Sequence, residues 1–172
     1  MVGGGNIDPW SSEQSTDYDR MIEQFGLTPM ELESFPNPGM LHRRGIVFAH
    51  RDLDVITDSI TKGDPFGVLT GLMPSGRMHL GHSMVIEQVR WFQEQGADVT
   101  VAVADLEALA TRGTPLSNGR ETALREYVLN YAALGLESDK TSVYFQSSRP
   151  EVQRLAFTCL LYTSDAADDV IS

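Results

Sequence analysis

The sequence predicts an α/β fold, a parallel three-strand βαβαβ sheet preceded by a mostly helical N-terminal extension. Two observations carry this. Over residues 65–103 a short apolar run, a loop punctuated by Gly71, Pro74 and Gly76, an amphipathic helix and a second apolar run follow one another, the pattern of one βαβ unit. A further helical stretch and the apolar run at 140–146 then supply a second helix and a third strand. With 172 residues, 41% of them hydrophobic, the chain is long enough to bury one core.

Residues 1–16 hold Gly3-Gly4-Gly5 and a polar run from Ser11, too little apolar surface to pack, so they read as a flexible arm interrupted by Ile7-Asp8-Pro9-Trp10. Residues 17–64 read as the extension. Asp17 is placed to cap a helix over 18–26 that buries Met21, Ile22 and Phe25 and stops at Gly26. A helical turn is expected at 29–35, and Pro36-Asn37-Pro38-Gly39 is a turn. The run 41–53 sets His42, Arg43, Arg44, His50 and Arg51 around an apolar stretch, a composition that fits a phosphate-facing patch and a solvated edge equally well. Asp52 or Asp54 is expected to cap a helix over 55–62, which Gly63-Asp64-Pro65 ends.

Residues 65–158 carry the sheet domain. The helix at 80–95 has Val85, Val89 and Phe92 at helical spacing and stops at Gly96. Residues 99–104 are apolar enough for a strand buried on both faces, with Asp105 capping the turn 106–111. Asn118 and Glu121 resemble a capping box for a helix ending at Leu134 and Gly135, with Leu124, Val128, Tyr131 and Leu134 inward. Ser148 and Glu151 repeat that pattern after the third strand. From Cys159 to Ser172 the sequence abandons the helical pattern midway through an element, as an in-frame read through unrelated linker DNA would.

The chemistry concentrates in the first strand-to-helix loop, at the carboxyl end of its strand, where open parallel sheets bind ligands. Gly71 and Gly76 have the spacing of a P-loop, but Arg77 and Met78 follow where that loop needs lysine and a hydroxyl. In their place stands His79-Leu80-Gly81-His82. Two imidazoles three residues apart share a helix face, and a helix N-terminus attracts anions. A metal site is disfavoured, because His42 and His50 are remote in sequence and Cys159 is the only cysteine.

Strand, Pro-Ser-Gly loop, His-Leu-Gly-His and helix together resemble the first nucleotide-binding element of class I aminoacyl-tRNA synthetases, whose tetrapeptide is written HIGH. Three further segments resemble the archaeal and eukaryotic tryptophanyl branch over residues 7–157: Ile7 to Trp10, the Arg43-Arg44-Gly45-Ile46 to Asp52 run that tyrosyl enzymes lack, and Lys140-Thr141 to Ser147. The resemblance implies the first half of a Rossmann-like catalytic domain and a tryptophan–tRNA ligase. It implies ATP, brought with Mg²⁺ for which no protein ligand is assignable, held by Gly71, Ser75, Gly76, His79, Leu80, Gly81 and His82. His79 and His82 stabilise phosphate charge, Thr70 and Glu107 contact the amino acid, and Asp8, Pro9 and Trp10 cover the site. Leu69 and Ala102 depart from the tyrosine and glutamine of the eukaryotic enzymes. The implied partners are tryptophan and tRNA(Trp), with the intact enzyme a homodimer and this fragment inactive alone. A tyrosyl enzyme, or a paralogue that binds nucleotide or tRNA without catalysis, is the alternative.

Net charge is −11, with eleven arginines but only Lys62 and Lys140 as lysines. A polyanion-binding face is normally basic. Either the tRNA surface is elsewhere or the protein works in a salt-rich, halophilic cytoplasm. No apolar run approaches the roughly 20 residues of a membrane span, and the start has neither the basic nor the apolar region of a signal peptide, so a cytoplasmic protein with no membrane partner is expected. Self-repulsion should weaken as the Debye length falls from about 10 Å towards 3 Å. The melting midpoint is therefore expected to rise between about 0.1 M and 2 M KCl, and a flat or falling midpoint would contradict this.

Overall fold

The computed structural model describes residues 18–33 and 35–156, in two compact units that divide between Asp64 and Pro65. Asp17, the arm with Asp8, Pro9 and Trp10, and the tail from Cys159 lie outside the described residues.

In the first unit, α1 (Tyr18–Phe25) stops at Gly26, whose φ of +58° an L side chain would strain. The helical turn expected at 29–35 is confined to its end, where Phe35 N–H bonds Leu32 O at 3.3 Å, and a short strand precedes it. β1 (Thr28–Pro29) pairs antiparallel with β2 (Ala49–His50), and Met30 N–H extends the pairing to Phe48 O at 2.9 Å. Pro29 lacks an N–H for the ladder, which a two-strand ribbon tolerates at its edge. The ring of Phe48, 4.5 Å from that of Tyr18, ties α1 to this ribbon. Between the strands lies α2 (Met40–Arg43). The helix α3 (Asp54–Lys62) ends at Gly63 as expected, but neither aspartate caps it. Leu53 precedes its first residue, and His50 Nδ1 accepts the Leu53 N–H at 3.3 Å.

Within the run 41–53, His42 turns inward. It is buried against Phe35, ring centroids 4.7 Å apart, and its Nδ1 accepts the Gly39 N–H at 3.0 Å. Burial first, then the neighbouring Arg43 charge, lowers its pKa. Below about pH 6.5 the unfolded chain takes up a proton that folded His42 refuses, so stability falls as pH drops through that value. The melting midpoint is expected to be lower at pH 5.5 than at pH 7.5, and His42→Gln should shrink the difference; an unchanged difference in the variant would contradict the assignment.

The second unit is a parallel sheet in the order β3 (Gly67–Leu72), β4 (Asp98–Val103), β5 (Thr141–Phe145). The register sets Leu72 beside Val103 and Val103 beside Phe145, so the three strands end together. Val99, Val101 and Val103 point into the core with Leu72, Ile86, Val89, Tyr127 and Phe145. The strand is not buried on both faces, as its composition had predicted. Thr100 and Ala102 are half-buried, and Leu69 beside them is 70% exposed. That face opens on a cavity of about 580 Å³ lined by Leu69, Thr100, Ser142, Tyr144, Arg149 and Val152.

The helix α4 (Leu80–Glu94) buries Ile86, Val89, Trp91 and Gln93, while Val85, expected inward, is half exposed. Ile86, Val89 and Gln93 have the same periodicity as the predicted stripe, but the polar Gln93 concealed it. Gln93 accepts the Glu137 N–H at 2.8 Å and donates to Thr141 Oγ1 at 2.9 Å, pinning the end of α4 to the entry of β5. After β4 come α5 (Asp105–Arg112), α6 (Leu116–Thr122), a π-helical turn (Ala123–Val128) and α7 (Leu129–Ala133). Asn118 and Glu121 form no capping box, because the helix begins three residues earlier, with Pro115 at the N-cap position. Ala123, Tyr127 and Tyr131 face the core, whereas Leu124 and Leu134 remain exposed. The inward stripe keeps a four-residue spacing but lies one position earlier than expected, at 123 and 127. A last helix, α8, covers residues 150–156; Arg149, not Ser148, precedes it, and Arg149 O accepts the Val152 N–H. Among the described residues no helix is long and apolar enough to cross a membrane.

Candidate nucleotide site at the carboxyl end of the sheet

The loop after β3 is held from below. Pro74 is fully buried, Ser75 N–H bonds Met73 O at 2.8 Å, and a Cβ on Gly119 would lie only 3.5 Å from the Pro74 ring, so α6 packs closely under the loop. Thr111 Oγ1 meets Met73 Sδ at 3.8 Å, bringing α5 to the same loop. Ser75 and Gly76 are exposed on its outside.

His79 caps α4 with extended backbone, φ −133° and ψ 175°. Its Nδ1 accepts the Gly81 N–H at 3.2 Å, and His82 Nδ1 accepts the His79 N–H at 3.3 Å. The two rings lie 3.9 Å apart, inclined by 46°. With each Nδ1 occupied as an acceptor, the proton of each neutral ring belongs on Nε2. The pair therefore offers two N–H donors beside the N-terminus of a fifteen-residue helix, where an anion is electrostatically favoured. Desolvation, and secondarily the His79 charge, lower the His82 pKa, so this ring donates as neutral imidazole at pH 7. Gly81 leaves little room: a Cβ there would sit 3.1 Å from His79 Cε1 and 3.2 Å from Nδ1, so the His79 ring would have to shift by a few tenths of an ångström.

The other expected residues distribute unevenly. Gly71 pairs with Ala102 on the sheet face that also carries Leu69 and Thr100. Thr70 pairs with Val101, so its side chain belongs to the core-facing side of the strand, away from that face. Glu107 is exposed on the first turn of α5.

Sequence reasoning missed the role of Asp105. Expected as an N-cap, it is itself the first residue of α5 and its carboxyl group reaches across the sheet end. It is 2% exposed; Oδ1 accepts N–H groups from Leu106 at 3.1 Å and Ser147 at 3.0 Å, and Oδ2 accepts the Ser147 hydroxyl. Only the spatial approach of β4 and β5 creates this bond, since the partners are 42 residues apart. Among the described residues no group of three or more histidine, cysteine or acidic side chains could hold a metal ion.

Residues 61–163 match the family model of class I tRNA synthetases (W and Y). The chain is 45% identical over 153 residues to a tryptophan–tRNA ligase of Methanosarcina acetivorans, across 88% of this chain and 35% of that relative. It superposes on the tryptophanyl-tRNA synthetase of Aeropyrum pernix with a TM-score of 0.73 and 40% identity, covering 83% of this chain and 41% of that one. The synthetase from Encephalitozoon cuniculi solved with tryptophan bound gives 0.69 at 27% identity, over 77% and 42% of the two chains. The chain thus spans about a third of the length of the curated relative it matches.

Proposed function

We propose, from the premise that this chain belongs to the class I tRNA synthetases (W and Y), that the whole protein activates tryptophan with ATP and transfers it to tRNA(Trp). The observation that carries this is the adjacent His79–His82 pair, each Nδ1 bonded to backbone and each Nε2–H left as a donor at a helix N-terminus. The tryptophan carboxylate attacks the α-phosphate and pyrophosphate leaves; a tRNA hydroxyl then attacks the carbonyl of the adenylate and AMP leaves. No side chain is needed as nucleophile; positioning and charge stabilisation supply the rate. His79 and His82 donate to phosphate oxygens, and Gly71, Ser75, Gly76, Leu80 and Gly81 line the nucleotide. Glu107 faces the amino acid, and Thr70, with its side chain on the core side, contributes through its main chain. Asp8, Pro9 and Trp10 close over the site.

Mg²⁺ accompanies ATP as part of the substrate, neutralising phosphate charge, with no ligand from this chain. The homodimer, the cytoplasmic location and the division into arm (1–16), extension (17–64), catalytic half-domain (65–158) and artefactual or divergent tail (159–172) belong to the same reading. Tryptophan is favoured over tyrosine by the 45% identity to a tryptophan–tRNA ligase. In the intact protein, ATP–pyrophosphate exchange should prefer tryptophan by about 10⁴-fold, the range open to a site that pairs a substrate N–H. A preference for tyrosine would overturn the assignment.

A further inference from the structure

We propose that Tyr127 is a positioning residue for His82: the π-helical turn Ala123–Val128 exists in this fold to bring the Tyr127 ring against that imidazole and hold its Nε2–H towards the phosphates. The inference rests on the proposed phosphate role of His82. Three observations carry it. Tyr127 is 1% exposed, and its ring meets His82 at 5.3 Å between centroids with the planes at 87°. Tyr131 packs against it as well, 6.4 Å away and nearly perpendicular at 84°, so the ring is held by a second aromatic neighbour. The backbone around it is π-helical, a geometry that concentrates at functional sites.

The π turn has a geometric purpose here. In a straight α-helix, residues four apart drift by roughly 40° about the axis, so Ala123, Tyr127 and Tyr131 would fan out. Across the wider π turn each residue advances less than in an α-helix, so the step from Ala123 to Tyr127 lags and the α-helical step to Tyr131 makes up the lag. All three then point at the sheet, and Tyr127 lies beside the first turn of α4. Rotation of the His82 ring would break the His79 N–H bond to its Nδ1 and drive the imidazole into Tyr127. The ring is thereby confined to one orientation. Removing the aromatic wall frees that rotation, whereas removing only the hydroxyl does not, because the contact is between rings.

The test uses the 172-residue chain with ¹³C-labelled histidine, read by NMR, with inorganic pyrophosphate as the probe. The wild-type chain should show a nuclear Overhauser contact between the His82 and Tyr127 rings, and a His82 titration midpoint below that of an ordinary histidine. The titratable groups beside His82 are His79 on its own turn and Tyr127 from the facing helix. In Tyr127→Phe both features and the response to pyrophosphate should persist. In Tyr127→Leu the midpoint should rise towards that of an ordinary histidine as burial relaxes, and the His82 response to pyrophosphate should weaken about tenfold while the sheet resonances stay in place. A Leu variant that responds like wild type overturns the proposal. Should that variant fail to fold, absence of the wild-type contact, or loss of the response in Tyr127→Phe, overturns it instead. A wild-type His82 that ignores pyrophosphate while keeping the ring contact refutes the phosphate reading, and with it the purpose assigned to Tyr127.

Discussion

Asp105→Ala is expected to lower the stability of the sheet unit by about 3 kcal/mol, because it leaves buried donors without an acceptor, at roughly 1–3 kcal/mol each. The Leu106 and Ser147 N–H groups and the Ser147 hydroxyl all lose their partner at once. Asp105→Asn should cost much less, about 1 kcal/mol, since the amide oxygen keeps both N–H groups and the Ser147 hydroxyl can turn to accept from the amide nitrogen. Urea unfolding of the three proteins reads the difference. An alanine variant within about 1 kcal/mol of wild type would mean that water replaces the carboxyl group and that the β4–β5 tie is incidental.

In the intact protein, His82→Ala should slow ATP–pyrophosphate exchange about a hundredfold, close to 3 kcal/mol of barrier, by analogy with loss of one oxyanion donor. The variant also removes the acceptor of the His79 N–H, so part of the loss is expected from disorder of the second imidazole. His79→Ala should act in the same direction. Exchange within about threefold of wild type in both variants would exclude charge stabilisation by the pair.

Which parts of this were legible in the sequence follows from where the signals reside. Local signals read correctly: Gly26, Gly63 and Gly135 end their helices with φ of +58°, +72° and +96°. The parallel strands and the His79–His82 pair at the mouth of α4 were likewise visible from pattern and spacing. What failed depended on neighbours distant in sequence. Gln93 is an inward polar residue because Glu137 and Thr141 satisfy it, and no periodicity argument includes a partner 44 residues away. Asp105 looked like a cap because its acceptor capacity was counted against its own helix and not against Ser147. The face of α6, α7 and the turn between them was misread in phase: Ala123 and Tyr127 turn inward where Leu124 and Val128 were expected, while Tyr131 faces the core as expected. At β4 an apolar composition suggested two buried faces, yet Thr100 and Ala102 belong to the side that opens on the cavity.

The crowding at Gly81 bears on how such a protein could be stabilised. Glycine within a helix is usually a weakness, about 0.5–1 kcal/mol worse than alanine, and an engineer raising the melting temperature would replace it early. Here the added methyl would press on His79 Cε1 at 3.1 Å and push the ring off the Gly81 N–H that orients it. The stiffer helix would come with a displaced donor. Position 81 is therefore one where thermal robustness and phosphate chemistry draw on the same few ångströms, and selection for either alone would lead to a different residue.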